Sequence, residues 1–390
     1  MGKIVSAVAT VHAPQLFTRP PSEIPEQLDA DIAAMKILAQ DIADSKPDLA
    51  IVIGSDHLET FFLSSVPTFA VVAGETSHAH FANRNWDVPV HLPFADALLE
   101  KLMARGFDMA YSQDAILGHS FAAVYEWVLP DAKIPVVPIF VNTYLPPLPS
   151  PQRCMALGKA IAEIIEERPE RVAIIASGGL SHYPGTWKYP QPAYDFDYWA
   201  IALMERGDLE PLIKLTSEQL DEVGNTEMLP WYFLFGAFQQ MGGSFPGELL
   251  TYQPTWHHGH AVMRFLPNKR VGPPPGEVPA PYVFTQGSFE FYKAPPTSAY
   301  KINKILYDLR HHQDLRLDFL KDPVAVAMSK YGMSQETGKL VATITDENID
   351  VLRSLKPHPL VDAGAHPLGM LMSLVVVQAE ARRVRAAAKN

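Results

Sequence analysis

The chain has 390 residues, of which 47% are hydrophobic and 19% charged, with a formal net charge of −11. This length predicts about two domains with a sizeable core. The acidic balance, without any long Lys/Arg run, argues against a nucleic-acid partner. No window approaches about 18 uninterrupted apolar residues, so no membrane-spanning helix is predicted. A single cysteine, Cys154, allows no intramolecular disulfide. With an N-terminus too short for a signal peptide, this predicts a cytoplasmic protein.

Two early strands each end at a histidine. Residues 3–10 are apolar and β-branched, which predicts a strand ending just before His12. Residues 26–45 have helical spacing, and the apolar run 49–53 predicts a buried strand that ends in Gly-Ser-Asp-His57. Ligands bind beyond the carboxyl ends of strands in open α/β sheets, so both histidines are candidate metal ligands. For His57 alone, a loop histidine that hydrogen-bonds its neighbours is the competing interpretation.

The middle of the chain alternates predicted strands and helices. The strands are expected at 69–73, 134–142, 171–177 and 249–254. The helices are expected at 94–105, 151–167, 195–205 and 209–223. A long loop is expected at 74–93, with its histidines at the surface or behind a site. His119 follows a glycine in a turn and is either a substrate contact or a structural residue. His182 follows a Ser-Gly-Gly turn, which indicates close approach of the backbone to another group.

A carboxylate precedes an almost wholly apolar stretch. Residues 228–238 predict a buried helix, with Glu227 in its first turn and Asn225 or Thr226 as its cap. A buried charge is costly unless it is paired or bound to metal. A capping-box glutamate explains the local pattern equally well. Further on, the segment 255–260 reads Thr-Trp-His-His-Gly-His, which is rich in histidine but is not by itself a metal site.

The composition changes near the end of the chain. Residues 268–297 are rich in proline and glycine, which predicts a linker or a wrapping arm. Short helices are then expected at 300–310, 314–320, 322–331, 334–342, 347–355 and 368–384. The sequence therefore predicts an α/β fold with a mixed central sheet flanked by helices. The domains are a metal-binding α/β domain at 1–267, the linker, and a small all-α domain at 298–390.

Two histidines and a carboxylate with open coordination positions form the facial triad of non-haem Fe(II) oxygenases. His12, His57 and Glu227 supply this set, although zinc accepts the same donors. His182 is a fourth candidate, either as a ligand or as an acid/base.

The order of these motifs resembles the class III extradiol ring-cleavage dioxygenases, a family that includes protocatechuate 4,5-dioxygenase and gallate dioxygenase. The motifs are His12 at a strand end, Ser55-Asp56-His57, Gly118-His119-Ser120, Gly-Gly-Leu-Ser-His182 and Asn-Thr-Glu227 followed by Trp231. Residues 1–265 resemble the catalytic subunit. Residues 298–376 resemble the small helical subunit of protocatechuate 4,5-dioxygenase, fused behind it as in gallate dioxygenase.

The resemblance implies an Fe(II) enzyme that opens the ring of a catecholic aromatic with O2, beside the two hydroxyls. It implies His12, His57 and Glu227 as iron ligands. It implies His182 as the acid/base and His119 as a contact to substrate or oxygen. The substrate's ring substituent is expected near Thr255, His257 and His258.

Two other functions remain open. One is a zinc-dependent relative that acts on a catechol such as DOPA, and the other is a metal-free binding or signalling module of the same fold. The resemblance also suggests that the helical domain caps the active-site mouth, of its own or of a neighbouring subunit. This favours a homodimer.

Overall fold

The structure is a computed structural model that describes residues 2–243, 245–267, 277, 279–285, 289–346 and 352–387. Eleven strands, β1 to β11, lie in this described part of the chain. They are Lys3–Thr10, Leu49–Ser55, Phe69–Val72, Thr76–Phe81, Arg84–Pro89, Ala110–Ser112, Ile116–Leu117, Val136–Val141, Arg171–Ser177, Glu248–Pro254 and Gly259–Leu266. Eight of these strands form the central sheet, in the order β10-β11-β1-β9-β2-β8-β3-β6.

Helices cover both faces of the sheet, and further helices follow it in the described residues up to Ala387. The described α-helices, α1 to α15, are Gln15–Thr18, Pro25–Ser45, Leu92–Ala104, His119–Ala123, Pro151–Glu166, Tyr194–Arg206, Glu210–Ile213, Ser217–Glu222, Leu229–Gln240, Tyr300–His311, Gln313–Lys321, Pro323–Tyr331, Gln335–Ala342, Pro359–Asp362 and Pro367–Ala387. A π-helix spans Val124–Val128, and short 3-10 helices span Pro130–Ala132, Thr226–Met228, Thr297–Ala299 and Thr343–Thr345. The predicted class, a mixed sheet flanked by helices with a helical C-terminal region, is confirmed.

The centre of the sheet is parallel, and its strands are buried on both faces. β1 pairs with β9, β9 with β2, and β2 with β8, all parallel, while β11 and β3 are antiparallel to their neighbours β1 and β8. In β2, Ile51 faces one hydrophobic cluster and Val52 faces the other. This two-sided burial explains the continuous apolar runs. The parallel pairing also brings the carboxyl ends of these four strands to one edge of the sheet.

Helix α9 packs very closely on α5, and this contact fixes the segment that precedes α9. A Cβ atom on Gly236 would lie 1.9 Å from the Met155 carbonyl oxygen, and one on Gly158 would lie 2.1 Å from the Phe233 carbonyl oxygen. Only glycine allows the two backbones to approach so closely. The apolar helix predicted at 228–238 is thus confirmed as a buried element, and Cys154 on α5 is buried as well.

The prediction of a long loop at 74–93 is wrong, because β4 and β5 form a hairpin there, with β7 beside β4. Residues alternate between buried and exposed along β4, as expected for a half-exposed strand. Ala82 and Asn83 both have positive φ, the backbone that a tight hairpin turn requires. His78 and His80 lie on the exposed side of β4 and bond to neighbours on β5.

One further expectation differs from the structure. The helix expected at 209–223 is divided into α7 and α8, because Thr216 and Gln219 form a capping box that starts a new helix. The strand expected at 249–254 is confirmed as β10, which ends at Pro254 before the chain turns into β11.

The C-terminal helices pack around a hydrophobic cluster of their own, which includes Leu309, Phe319 and Leu374. Of the helix expected at 347–355, residues 347–351 lie outside the described residues, and 352–355 form turns and bends. Much of the predicted linker at 268–297 also lies outside the described residues. Across the described ranges, no helix is long and apolar enough to cross a membrane.

Candidate metal centre

Four parallel strands each deliver a polar side chain to the same edge of the sheet. His12 follows β1, His57 follows β2, Tyr144 follows β8 and His182 follows β9. All four residues are buried, with exposures between 1% and 7%. The carboxyl edge of the sheet is therefore a largely buried polar centre beside the apolar core.

Glu227 lies in the middle of this centre. Its Oε2 atom is 3.1 Å from Nε2 of His12, and its Oε1 atom contacts Nε2 of His57. The backbone N–H of Gly179 donates to Oε2 at 2.9 Å, and the hydroxyl of Tyr144 donates to Oε1 at 2.8 Å. The two histidines and the carboxylate that the sequence singled out thus converge on one point.

The prediction that Asn225 or Thr226 caps the helix that follows Glu227 is wrong. Neither Asn225 nor Thr226 makes a side-chain cap. The amide of Asn225 instead donates to the buried carboxylate of Asp197 at 2.9 Å. The Glu227 carboxylate points at the histidines, so its surroundings are those of a polar centre and not of a capping box.

The donor groups fit a metal ion. Ligand atoms of His12, His57 and His119 lie within 4.8 Å of one another, and so do those of His182, Glu227 and His258. The two sets join at Glu227, which contacts His12 and His57 directly. In the described part of the chain, Nε2 of His12 faces the Glu227 carboxylate and is buried without a hydrogen-bond partner, and Nδ1 of His57 is likewise buried and unpaired. An unpaired imidazole nitrogen beside a carboxylate is what a metal ion would satisfy.

The ionisation states also suit a metal. Burial, together with the neighbouring His119, lowers the pKa of His57 to about 4. Burial alone would raise the pKa of Glu227, but the facing imidazoles of His12 and His57 hold this pKa well below its ordinary value. A neutral imidazole and an ionised carboxylate are the forms that bind metal ions.

His182 is linked to Glu227 through Tyr144, a residue that the sequence analysis missed. Nδ1 of His182 donates to the Leu180 carbonyl at 2.8 Å, and Nε2 lies 3.0 Å from the Tyr144 hydroxyl. Burial lowers the pKa of His182 to about 4, so Nε2 of the neutral ring can accept a proton. The Tyr144 hydroxyl hydrogen therefore has two acceptors, His182 and Glu227. The signal for Tyr144 was its place just after the predicted strand 134–142.

His119 begins α4 instead of lying in the preceding turn, and it forms an ion pair with Glu59. Both its backbone N–H and its Nδ1 lie 3.0 Å from the Glu59 carboxylate. Burial opposes both charges, but their mutual attraction raises the pKa of His119 and lowers the pKa of Glu59 to about 2. The His119 ring lies 4.0 Å from the His57 ring, measured between centroids. His119 thus lies beside the metal donors, with its orientation fixed by Glu59.

The three residues expected to contact substrate lie in different surroundings. The Thr255 hydroxyl donates to the His258 carbonyl at 2.9 Å, and Nε2 of His257 lies 3.1 Å from the Glu23 carboxylate. His258 stacks on His182 with ring centroids 3.8 Å apart. Of the three, His258 is the residue whose side chain reaches the centre directly.

Residues 6–263 match the family model described as "Catalytic LigB subunit of aromatic ring-opening dioxygenase". The chain belongs to this family, so the resemblance to class III extradiol dioxygenases is confirmed at the level of the family. The matched range contains His12, His57, His119, His182 and Glu227.

Curated relatives include proteins named "2,3-dihydroxyphenylpropionate/2,3-dihydroxicinnamic acid 1,2-dioxygenase" from Klebsiella pneumoniae subsp. pneumoniae and from Escherichia coli K12. Each is 33% identical over 175 residues, which is 44% of this chain and 55% of the relative. The alignment therefore spans only about half the length of these relatives. A crystal structure of the uncharacterized protein JW3007 from Escherichia coli K12 matches 67% of this chain and 99% of that chain, with 17% identity and a TM-score of 0.46.

Proposed function

We propose that this chain is an Fe(II)-dependent extradiol dioxygenase that opens the ring of a catecholic aromatic with O2. The observation that carries the proposal is the convergence of His12, His57 and Glu227 at one buried point, with His182 beside it. Two histidines and one carboxylate are the donor set of non-haem Fe(II) oxygenases. Family membership supports aromatic ring opening as the reaction class.

In this proposal His12, His57 and Glu227 hold the metal, which would supply a Lewis-acidic centre that brings a catechol and O2 together. His182 takes a phenolic proton at Nε2, because its Nδ1 proton is committed to the Leu180 carbonyl. Tyr144 holds the hydroxyl that connects this nitrogen to Glu227. The ring of His119, fixed by Glu59, contacts substrate or oxygen.

The substrate class is a catechol, and the particular compound is an open part of the proposal. The relatives' names point to catechols that carry an acidic side chain. Gallate and protocatechuate follow from the sequence resemblance. His258, together with Thr255 and His257, is proposed to face the substituent of the ring.

Oxygen uptake by protein purified anaerobically and loaded with Fe(II) tests the proposal. The panel is 2,3-dihydroxyphenylpropionate, gallate, protocatechuate, 3-O-methylgallate, unsubstituted catechol and aminophenols. We expect His12→Ala to lose bound iron. We expect His182→Phe to keep iron and lose turnover by about 100-fold, the usual scale of general acid–base catalysis. His78→Ala, at an exposed histidine, is the control. Full turnover by His182→Phe would remove its proposed role.

Two alternative functions have distinct outcomes in the same measurements. Zinc without iron in the purified protein favours a zinc-dependent catechol dioxygenase. Tight catechol binding without oxygen uptake at any metal favours a non-catalytic binding protein. Light scattering, which measures the molar mass in solution, tests the homodimer expected from the sequence.

A further inference from the structure

Helix α10 of the C-terminal domain holds the backbone that follows the candidate ligand His57. Three side chains on one face of α10, at spacings of three and four residues, contact four consecutive carbonyl groups. Arg310 donates to the His57 carbonyl at 3.3 Å and to the Leu58 carbonyl, and Tyr307 donates to the Thr60 carbonyl at 3.4 Å. Nε2 of His311 lies 2.8 Å from the Glu59 carbonyl oxygen, and its Nδ1 lies 2.7 Å from the Tyr307 carbonyl oxygen. We call Tyr307, Arg310 and His311 the α10 clamp.

The clamped segment has a backbone that needs external support. Leu58 has φ of 58°, in the left-handed region that a branched side chain rarely adopts. On the other side of the segment, the Asp56 carboxylate accepts from the backbone N–H groups of Glu59, Thr60 and Phe61 at 2.9 to 3.2 Å. Asp56 thus binds the N–H groups while the α10 clamp binds the carbonyl groups. A strained conformation persists where its surroundings fix it in this way.

Two side chains of the metal centre depend on this segment. His57 is its first residue and contacts Glu227. Glu59 is its third residue and fixes the ring of His119. A shift of the segment would therefore move a metal donor and the neighbouring histidine together. The same domain also reaches Tyr144, since Nε2 of His366 donates to the Tyr144 carbonyl at 2.8 Å.

We infer that the α10 clamp is a set of positioning residues, through which the C-terminal domain fixes the geometry of the metal centre in its own chain. The inference rests on the proposed function only for the identity of the reaction. The chain of contacts from Arg310 through the His57 backbone to the metal donors requires no substrate. Arg310 is the central member because one guanidinium group spans two adjacent carbonyls, which a lysine ammonium cannot reproduce.

Metal affinity of the full-length protein tests the inference, measured by chelator competition with Fe(II) and, in parallel, with Co(II). We expect Arg310→Met to weaken both affinities at least 10-fold, the scale seen when a group that orients a ligand is lost. The visible spectrum of bound Co(II) should change as well. The metal affinity of Arg310→Lys should fall between that of Arg310→Met and that of the wild type. His311→Ala, which alters an exposed position, should lose less affinity than Arg310→Met.

Arg171→Met is the matched control. Arg171 also donates to two backbone carbonyls of another element, those of Ser45 and Lys46, but on the α/β domain away from the centre. The Arg171→Met substitution should leave the metal affinity and the Co(II) spectrum unchanged. Wild-type affinity and spectrum in both Arg310→Met and His311→Ala would overturn the inference, as would equal losses in Arg171→Met.

The outcome for the clamp is separable from the outcome for the reaction. Wild-type protein that binds metal but opens no catechol would overturn the proposed function, while the affinities of the variants would still decide the clamp. Catechol cleavage with an unchanged Arg310→Met affinity would keep the function and overturn the clamp. Should Arg310→Met fail to fold by circular dichroism, His311→Ala decides alone.

Discussion

The Nδ1 atom of His12 lies 3.0 Å from the hydroxyl oxygen of Ser177, the last residue of β9. That hydroxyl donates its own hydrogen to the Ser120 carbonyl at 2.6 Å. Ser177 must therefore accept from His12, which places the imidazole proton on Nδ1. The lone pair of Nε2 is then directed toward Glu227, which is 3.1 Å away. A neighbouring strand thus selects the tautomer that a metal ligand requires.

Replacing Ser177 with alanine should weaken metal binding about 10- to 100-fold, since the acceptor that fixes the His12 ring is lost. Chelator competition measures the affinity. Ser217→Ala removes a comparable buried hydroxyl, which donates to the Pro149 carbonyl and to none of the candidate ligands. The control should bind metal like the wild type. Equal affinities for the wild type and Ser177→Ala would contradict the tautomer argument.

Replacing Tyr144 with phenylalanine should preserve metal binding and lower kcat by about 10- to 100-fold, because the hydroxyl between His182 and Glu227 is removed. The ring itself packs against Tyr292 with centroids 5.0 Å apart, so the fold should be retained. Steady-state oxygen uptake measures kcat and KM. Tyr125→Phe removes a buried hydroxyl that bonds to Ser77, and its kcat should match the wild type. A Tyr144→Phe enzyme with unchanged kcat would show that the hydroxyl has no part in proton transfer.

Replacing Gly179 with alanine should disrupt the centre sterically. A Cβ atom there would lie 2.1 Å from Nε2 of His258 and 3.0 Å from Oε2 of Glu227. We expect loss of metal binding and a destabilisation of about 1–3 kcal/mol, the usual cost of overpacking. Metal content and thermal unfolding measure the two effects. At Gly242, with φ of 71°, nothing lies within 4 Å of the new Cβ. Gly242→Ala should therefore retain its metal. If Gly179→Ala also retained its metal, the steric prediction for Gly179 would be wrong.

The parallel core and its strand-end histidines were predictable because each strand is buried on both faces. Such burial leaves a continuous apolar run that ends abruptly at a polar residue, as at His57 and His182. The convergence of His12 and His57 then follows from parallel pairing, which brings the carboxyl ends together, whereas Glu227 reaches them from the 3-10 helix before α9. The buried helix after Glu227 was recognisable for the same reason, since its composition is apolar all round.

The features that escaped prediction depend on contacts that no local pattern contains. The β4–β5 hairpin has alternating burial, but its histidines and short turn conceal the strand period. Tyr144 follows the predicted strand 134–142, but only its contacts with His182 and Glu227 distinguish it from other aromatic residues in loops. The hydrogen bond from Arg310 to the His57 carbonyl joins residues 253 positions apart, and neither local sequence indicates this contact.

Asp197 gives a prediction about pH that is independent of the metal. Its buried carboxyl accepts from the Ser181 backbone N–H, the Asn225 amide and the Tyr252 hydroxyl. Desolvation outweighs these hydrogen bonds and raises the pKa of Asp197 to about 7. An unfolded aspartate has a pKa of about 3.9. Between about pH 4 and pH 7 the native state therefore holds a proton that the unfolded state has released, so this residue lowers the free energy of unfolding as pH rises.

The substitution Asp197→Asn removes this titration, so the free energy of unfolding of the variant relative to wild type should rise between pH 5 and pH 8. The expected change is on the order of 1–3 kcal/mol, since one pKa unit corresponds to about 1.4 kcal/mol. Urea unfolding at the two pH values measures it. Comparing the difference between pH values cancels the constant cost of placing an amide among these donors. Asp96→Asn, at an exposed position on α3, should show no such change. A difference that stays constant or falls with pH would show that Asp197 is ionised in the native protein throughout this range.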